Sequence, residues 1–395
     1  MSQIAAIRDE METKKINLVD ILKEVNVSGF LDSWGPMRIL QVYDPDINMQ
    51  GILVIDNNTL GPGCGFIKIS PKITLREVFH NARVMTWSSA LANVNFGGAS
   101  AGIKATPSEI DKNLFVRAFA KAISAYVPDQ FITVSGQDTG SIDMAAFMDE
   151  VGDSRGAINI DLNSLGLGFG IIIGTAIDSG LSSFSLPEKL AKAKIAIVGF
   201  NQIGCAAAKY LVNKGAKIVA ISDDWCTISD SKGIALEEVY KHCSADSEKK
   251  SLRQCKGFKK YPKDEIIKSD SDIIIAVSGN DVFTKENVSL LKAKCVVESA
   301  FCSLPGIVDQ TLHNRGVVVI PDILTSACEA IIAYSNQNGS RPERSLSLME
   351  TRMSDITKQI VPQAVEQNVS LRRICMEVAQ ERILKAVEGK NGRSM

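Results

Sequence analysis

Histidine is scarce in this chain of 395 residues, with three in all, and its nine cysteines include no CxxC pair. The cysteines fall at 64, 205, 226, 243, 255, 295, 302, 328 and 375. An odd, unpatterned set beside so few histidines argues against both a disulfide framework and a zinc site, so no metal is expected. An excess of one charge is missing too. The 44 basic and 45 acidic residues leave a net charge of −1, which offers no polyanion-binding surface and predicts no nucleic-acid partner. No apolar run reaches the length of a membrane span, and the first 15 residues are charged and amphipathic, without the apolar centre of a secretory signal. These absences predict a cytoplasmic protein with no membrane partner. Internal repeats and low-complexity linkers are absent as well, and the length suits two domains with large cores.

What is present is organised around residues 194–224, KIAIVGFNQIGCAAAKYLVNKGAKIVAISDD. Ile195 to Val198 is a short branched apolar run, as a buried strand should be. Gly199, Phe200, Asn201, Gln202, Ile203 and Gly204 form a turn, after which Ala206, Ala207, Tyr210 and Leu211 share a helical face. A second apolar run, Ile218 to Ile221, ends at Asp223 and Asp224. Strand, glycine turn, helix and strand with a following acid make the dinucleotide-binding unit, in which helix N–H groups hold a pyrophosphate and the acid holds a ribose hydroxyl. An acid at Asp223 favours NAD over NADP; a plain strand-end turn is the other reading. The middle glycine of GxGxxG is Asn201, whose Cβ and amide take space that a phosphate needs. The turn is therefore either an NAD or NADP site or a retained fold that binds no nucleotide.

Residues 2 to 33 read as two helices, followed by strands at 37–44, 51–57 and 66–70. A helix spans 74–91, residues 95–102 read as a loop of small residues, and 107–127 reads as a further helix. A strand at 131–135 precedes a helix at 141–150. Residues 224–265 read as helix and solvated loop, 270–277, 293–297 and 316–320 as buried strands, and 341–389 as closing helices.

The phrases GPGCGFIKISP (61–71), MTWSSAL (85–91), NFGGASAGIK (95–104), QDTGSIDMAAFMDE (137–150) and VVVIPDILTSACEAIIAY (317–334) stand in one order along the chain. Together they resemble the glutamate, leucine, phenylalanine and valine dehydrogenase family, and glutamate dehydrogenases in particular. The resemblance implies an α/β fold: an N-terminal amino-acid-dehydrogenase substrate domain with a mixed sheet (1–180), a Rossmann-type NAD(P)-binding domain (181–335), and C-terminal helices packing back on the first domain (336–395). It also implies a homo-oligomer, a hexamer, and leaves room for hetero-assembly with an active paralogue.

Oxidative deamination of an amino acid needs a cation for the substrate carboxylate, a base for the amine, polarisation at Cα and a nicotinamide in hydride range. The family uses lysines and an aspartate for the first three. Here the substrate lysines fall on Cys64 and Ser88, and the catalytic lysine after GGA falls on Ser100. The aspartate is kept as Asp138, and Gly97 and Gly98 are kept beside the substrate. Removing one such cation typically costs about 10²–10⁴-fold in rate. Lys68 and Lys104 are the nearest lysines in sequence; Lys68 is expected to point away from the turn, and both read as solvated surface groups. A family threonine is Leu167, the asparagine of VVEGAN is Phe301, and a substrate-contacting serine is Ala333.

Two readings follow. The first is a glutamate dehydrogenase-like homologue without glutamate dehydrogenase activity, acting as a regulatory or assembly partner. The second is an active NAD-dependent oxidoreductase on a different amino or imino substrate, with Asp138 as its base and a less acidic substrate at Cys64, Ser88 and Ser100.

Overall fold

Two sheets joined by a buried helix carry the chain. The computed structural model describes residues 31–136, 138–243, 251–278, 282–299 and 304–391. The helices expected over 2–33 lie outside the described residues up to residue 30, as does Phe301. The first half runs β1 (Arg38–Asp44), β2 (Met49–Asn57), β3 (Gly63–Ile69), α1 (Leu75–Leu91), β4 (Gly97–Ile103), α2 (Lys112–Ile123), β5 (Phe131–Val134), α3 (Ser141–Val151), β6 (Ala157–Ile158) and α4 (Leu162–Asp178). Its sheet has the order β1-β2-β4-β3-β5-β6. Strands β1, β2 and β4 pair antiparallel, whereas β4, β3, β5 and β6 pair parallel, so the sheet is mixed.

The second half runs β7 (Lys194–Val198), α5 (Gln202–Asn213), β8 (Lys217–Ser222), β9 (Thr227–Ser229), α6 (Leu236–Cys243), β10 (Lys259–Tyr261), β11 (Ile273–Ala276), β12 (Cys295–Val297), α7 (Gly306–Asn314), β13 (Val318–Ile320), α8 (Asp322–Gln337), α9 (Pro342–Gln367) and α10 (Leu371–Asn391). Its sheet has the order β10-β9-β8-β7-β11-β12-β13. The strands from β8 to β13 across β7 are parallel, as a doubly wound Rossmann-type sheet requires, and order reverses at β7. Strands β9 and β10 extend it antiparallel, where helix and loop alone were expected for 224–265.

Alternation along the strands sorts the first sheet's faces. Ile67, Ile69, Ala99, Ala101 and Phe131 pack against Phe119 of α2 and Phe147 of α3. Cys64, Phe66, Ile132 and Val134 point the other way, into a core shared with Met85 of α1, with α4, α8 and α9, and with the second sheet's Ile195 and Ile197. Helix α8 lies at the centre of this core and is buried almost throughout its length. A helix apolar on every side is stable only when packed on every side, which its neighbours α1, α4, α9 and α10 provide.

Residues 97–102 of the small-residue loop expected over 95–102 belong instead to the interior strand β4. The small residues follow from packing. A Cβ on Gly98 would lie 2.2 Å from the Thr86 amide of α1, and one on Gly97 would lie 1.9 Å from the Asn57 carbonyl. Helix and neighbouring strand approach so closely that only glycine fits, which hides the apolar alternation by which a strand is usually recognised. The helix expected over 107–127 is shorter, with single 3₁₀ turns at 107–109 and 124–126 flanking α2. Asp111 starts α2 by accepting from the Leu114 amide at 3.1 Å.

Candidate active site

Strands β3 and β4 lie side by side and parallel, so Cys64, Phe66 and Lys68 of β3 share the α1-facing side with Gly98 and Ser100 of β4. All three positions at which the family's lysines would stand are fully buried: Cys64, Ser88 and Ser100 are 0% exposed. Each polar side chain there is committed to the protein. Ser88 of α1 donates to the Ile323 carbonyl of α8 at 2.9 Å, tying the first half of the chain to the second. The hydroxyl of Ser100 donates to the Phe66 carbonyl at 3.4 Å. Cys64 is enclosed by apolar neighbours, and burial pushes its thiol far above its ordinary range, with the Glu329 carboxylate adding to the effect. A neutral thiol cannot replace an ammonium as a carboxylate's partner. Ala333 of α8 is fully buried and has no hydroxyl.

Asp138 sits in the turn after β5, largely buried, and accepts from the Ile69 amide at 3.4 Å. Burial raises its carboxyl above the usual range; the Ile69 amide, Lys68 and Lys112 pull it back, and Glu77 opposes them. Lys68 is not a solvated lysine pointing away: it shares Cys64's face, is 20% exposed and forms an ion pair with Glu77 of α1. Lys104 is exposed, as expected. Lys112 of α2 was not foreseen. It donates to the Asp138 carbonyl at 3.2 Å and pairs with Asp143 at 2.9 Å. Asp138 thus keeps nearby cations, supplied by positions other than 64, 88 and 100.

Glu329 was not foreseen either. It is the only charged residue of α8 after Asp322 at its start, which is the signal that could have drawn attention to it. Burial alone pushes its carboxyl up to about 8, and its Oε1 has no hydrogen-bond partner among the described residues.

At the second sheet, Gly199 takes φ +99°, and a Cβ there would lie 2.3 Å from the Ser278 hydroxyl, so glycine is required by both backbone and space. Gly204 is equally constrained, because its Cβ would meet the Gly199 carbonyl at 2.1 Å. Phe200 stacks on Tyr240 with ring centroids 6.0 Å apart, Gln202 is exposed, and Ile203 is buried against the sheet. Asn201 is the N-cap of α5: its Oδ1 accepts from the Gly204 amide at 3.0 Å. An N–H that a pyrophosphate would claim is therefore already bonded within the turn.

Asp223 is similarly committed. One oxygen accepts from the Trp225 and Cys226 amides, each at 2.8 Å. The other accepts from the Ser251 hydroxyl at 3.0 Å and the Leu252 amide at 2.6 Å. Asp224 is exposed, and Arg253 lies 4.8 Å over the exposed Trp225 ring at the same strand end. Leu167, half-buried on α4, presents no hydroxyl to a carboxamide. The residues at this turn do not fit a nicotinamide dinucleotide as they stand, because the cap and the acid already have internal partners. Among the described residues no group of side chains has the composition of a metal site, and no helix is long and apolar enough to cross a membrane.

Comparison with known proteins agrees with this architecture. Residues 36–153 match the Glu/Leu/Phe/Val dehydrogenase dimerisation domain, and residues 159–391 match the Glutamate/Leucine/Phenylalanine/Valine dehydrogenase family. A glutamate dehydrogenase of Aeropyrum pernix is 29% identical over 360 residues, covering 84% of each chain. An NADP-specific glutamate dehydrogenase of Saccharolobus shibatae is 28% identical, over 85% of this chain and 83% of that one. Among solved structures, the hetero-hexameric glutamate dehydrogenase of Thermus thermophilus superposes with a TM-score of 0.76 at 21% identity, covering 89% of each chain. With both halves matched in order, the chain belongs to the Glu/Leu/Phe/Val dehydrogenase family and is glutamate dehydrogenase-like in sequence.

Proposed function

We propose that this chain is a non-catalytic, regulatory homologue of glutamate dehydrogenase that assembles with an active paralogue. The observation that carries this reading is the state of the three lysine positions. Cys64, Ser88 and Ser100 hold no cation, are fully buried, and the two hydroxyls bond to the protein itself. Without a cation at Cα, the developing oxyanion of deamination has no counter-charge, and the loss of one such group already costs ~10²–10⁴-fold in rate. The internal partners of Asn201 and Asp223 support the same reading, and they remove the reason to favour NAD over NADP. In this reading residues 1–180 form the substrate and oligomerisation domain, 181–335 the nucleotide-type domain, and 336–395 the helices that close back, in a cytoplasmic hexamer.

The Thermus thermophilus relative is described as hetero-hexameric, which supports mixed assembly as a role for a silent subunit. Mixing the chain with an active glutamate dehydrogenase during refolding or co-expression, followed by native mass spectrometry, tests this. Mixed hexamers with a changed specific activity are expected; strict self-sorting, with each chain only in its own oligomer, would remove the proposal.

One observation favours a second reading. Asp138 retains a raised carboxyl pKa beside Lys68 and Lys112, the setting of a general base. On that reading the chain is an NAD-dependent oxidoreductase for another amino or imino substrate, and a screen of amino acids with NAD and NADP would reveal turnover.

A further inference from the structure

The near-zero net charge of the whole chain conceals a local segregation of sign. Between Glu248 and Asp264 the sequence has seven basic residues and no acid. Five of them, Arg253, Lys256, Lys259, Lys260 and Lys263, fall in the described residues. All five are exposed, and none forms an ion pair with a described residue. Among the acids at the ends of β8 and β10, Asp223 is taken up by four internal donors and Glu265 pairs with Lys268 at 2.6 Å. Asp224 and Asp264 stay exposed beside the five cations.

Strand β10 is the edge of the second sheet. Its register on β9 sets Lys259 opposite Ser229 and Tyr261 opposite Thr227, and the Thr227 hydroxyl donates to the Lys263 carbonyl at 2.8 Å. Lys263 therefore stands at the end of the sheet from which Trp225 emerges, two residues before Thr227. From Lys259 to Lys263 the edge is a cationic strip on the order of 10 Å long that leads to this indole. Trp225 is 56% exposed, and the Arg253 guanidinium lies over its ring at 4.8 Å. Asp223 holds the pair in place. One of its oxygens accepts from the Trp225 and Cys226 amides and the other from the Ser251 hydroxyl and the Leu252 amide, which buckles together the loops carrying Trp225 and Arg253. Lysines keep an edge strand from pairing with another sheet. That accounts for Lys259 and Lys260, but not for a carboxylate committed to fixing an indole beside a guanidinium at the surface.

We infer that this edge binds single-stranded nucleic acid, with phosphates along Lys259, Lys260 and Lys263 and a base stacked on Trp225 beside Arg253. Such binding needs a positive strip for the backbone and an aromatic platform that any base can stack on, and both are present in one continuous surface. An acidic peptide would use the lysines and have no use for Trp225. A membrane surface would need a broader apolar face than one indole supplies. The binding does not pass through positions 64, 88 and 100, so it holds for a silent chain and for an active one.

Fluorescence anisotropy of the full chain with labelled single-stranded RNA and DNA of about 12 nucleotides tests this, with a duplex of the same sequence, polyglutamate and anionic phospholipid vesicles as controls. At least one of the two single strands is expected to bind, and the ratio of their affinities tells RNA from DNA as the ligand. Log affinity should fall against log salt with a slope of about −2, as three phosphate contacts require. The single strand should quench indole emission, and Trp225→Ala should remove the quench and weaken binding about 5- to 100-fold at an unchanged salt slope. Lys260→Gln together with Lys263→Gln should weaken binding and bring the slope to about −0.7. These side chains are exposed, and unchanged urea unfolding of the variants shows that the fold is kept. No binding of either single strand would overturn the inference. So would affinity unchanged by Trp225→Ala or by the paired lysine substitutions, a duplex bound as tightly as the single strand, or binding of polyglutamate or vesicles in place of the single strands.

Discussion

Replacing Asn201 with glycine isolates the step at which the nucleotide turn departs from its family pattern. The Asn201 Oδ1 now accepts from the Gly204 amide at 3.0 Å and closes the N-terminus of α5. Asparagine and glycine are both good N-caps, so Asn201→Gly should cost only about a few tenths of a kcal/mol, whereas Asn201→Ala should cost about 1 kcal/mol. What glycine returns is the free amide and the space above it. A charge-assisted hydrogen bond from that amide to a phosphate is worth about 1.5–3 kcal/mol, which is about 10- to 100-fold in affinity. Titrating wild type, Asn201→Gly and Asn201→Ala with NADH, and following urea unfolding of each, measures both sides of the exchange. The Gly variant should bind NADH about 10- to 100-fold more tightly at nearly unchanged stability. If it binds no better than the wild type, the asparagine is not the obstacle, and the account of this turn is wrong.

Glu329 makes stability depend on pH. Its carboxyl is raised from 4.5 to about 8, so the folded chain keeps a proton that the unfolded chain releases. That contribution is complete below about pH 4.5, shrinks as pH rises, and is gone by about pH 8, at up to about 1.4 kcal/mol per pH unit. Denaturant unfolding at pH 5.5, 6.5 and 7.5 should show Glu329→Gln gaining on the wild type as pH rises; a constant difference would contradict the burial argument. Arg372→Met should cost about 3–5 kcal/mol at neutral pH, because Glu298 and Asp322 are left fully buried without their cation. A loss below about 1 kcal/mol in urea unfolding would mean that this network is not what holds α10 in place. Restoring lysine at Cys64, Ser88 and Ser100 together should fail to yield glutamate-dependent dinucleotide reduction, because the cap at Asn201 and the acid at Asp223 are already bonded within the nucleotide turn. Activity from a folded triple variant would count against the account of the nucleotide turn.

The parts of this molecule that could be read from the sequence are those where one chemistry dominates. Ile195 to Val198 and Ile218 to Ile221 are branched apolar runs, each preceded by a lysine and closed by Gly199 or by Ser222 and Asp223, and both are parallel strands of the second sheet. Strand β4 was unreadable because contact with α1 requires glycine at 98, and the small residues of GGASAG mimic a loop. The changes at positions 64, 88 and 100 were visible in sequence, but their consequence was not: burial and the bond from Ser88 to the Ile323 carbonyl are tertiary facts. Asp223 shows the same limit. As a residue after a strand it reads equally as a ribose ligand or a turn, and only the four internal donors to its two oxygens distinguish the cases. Lys112 and Glu329 were missed because each acts across the fold, on Asp138 and Cys64 respectively.

The most direct test is steady-state turnover by the purified chain alone, with glutamate and either NAD or NADP, and in reverse with 2-oxoglutarate and ammonium. The account predicts no reduction or oxidation of the nucleotide above background at any pH from 6 to 9. Turnover at about 1 s⁻¹ or faster, within the ordinary range for enzymes, would contradict it, because the cations at 64, 88 and 100 would then be dispensable.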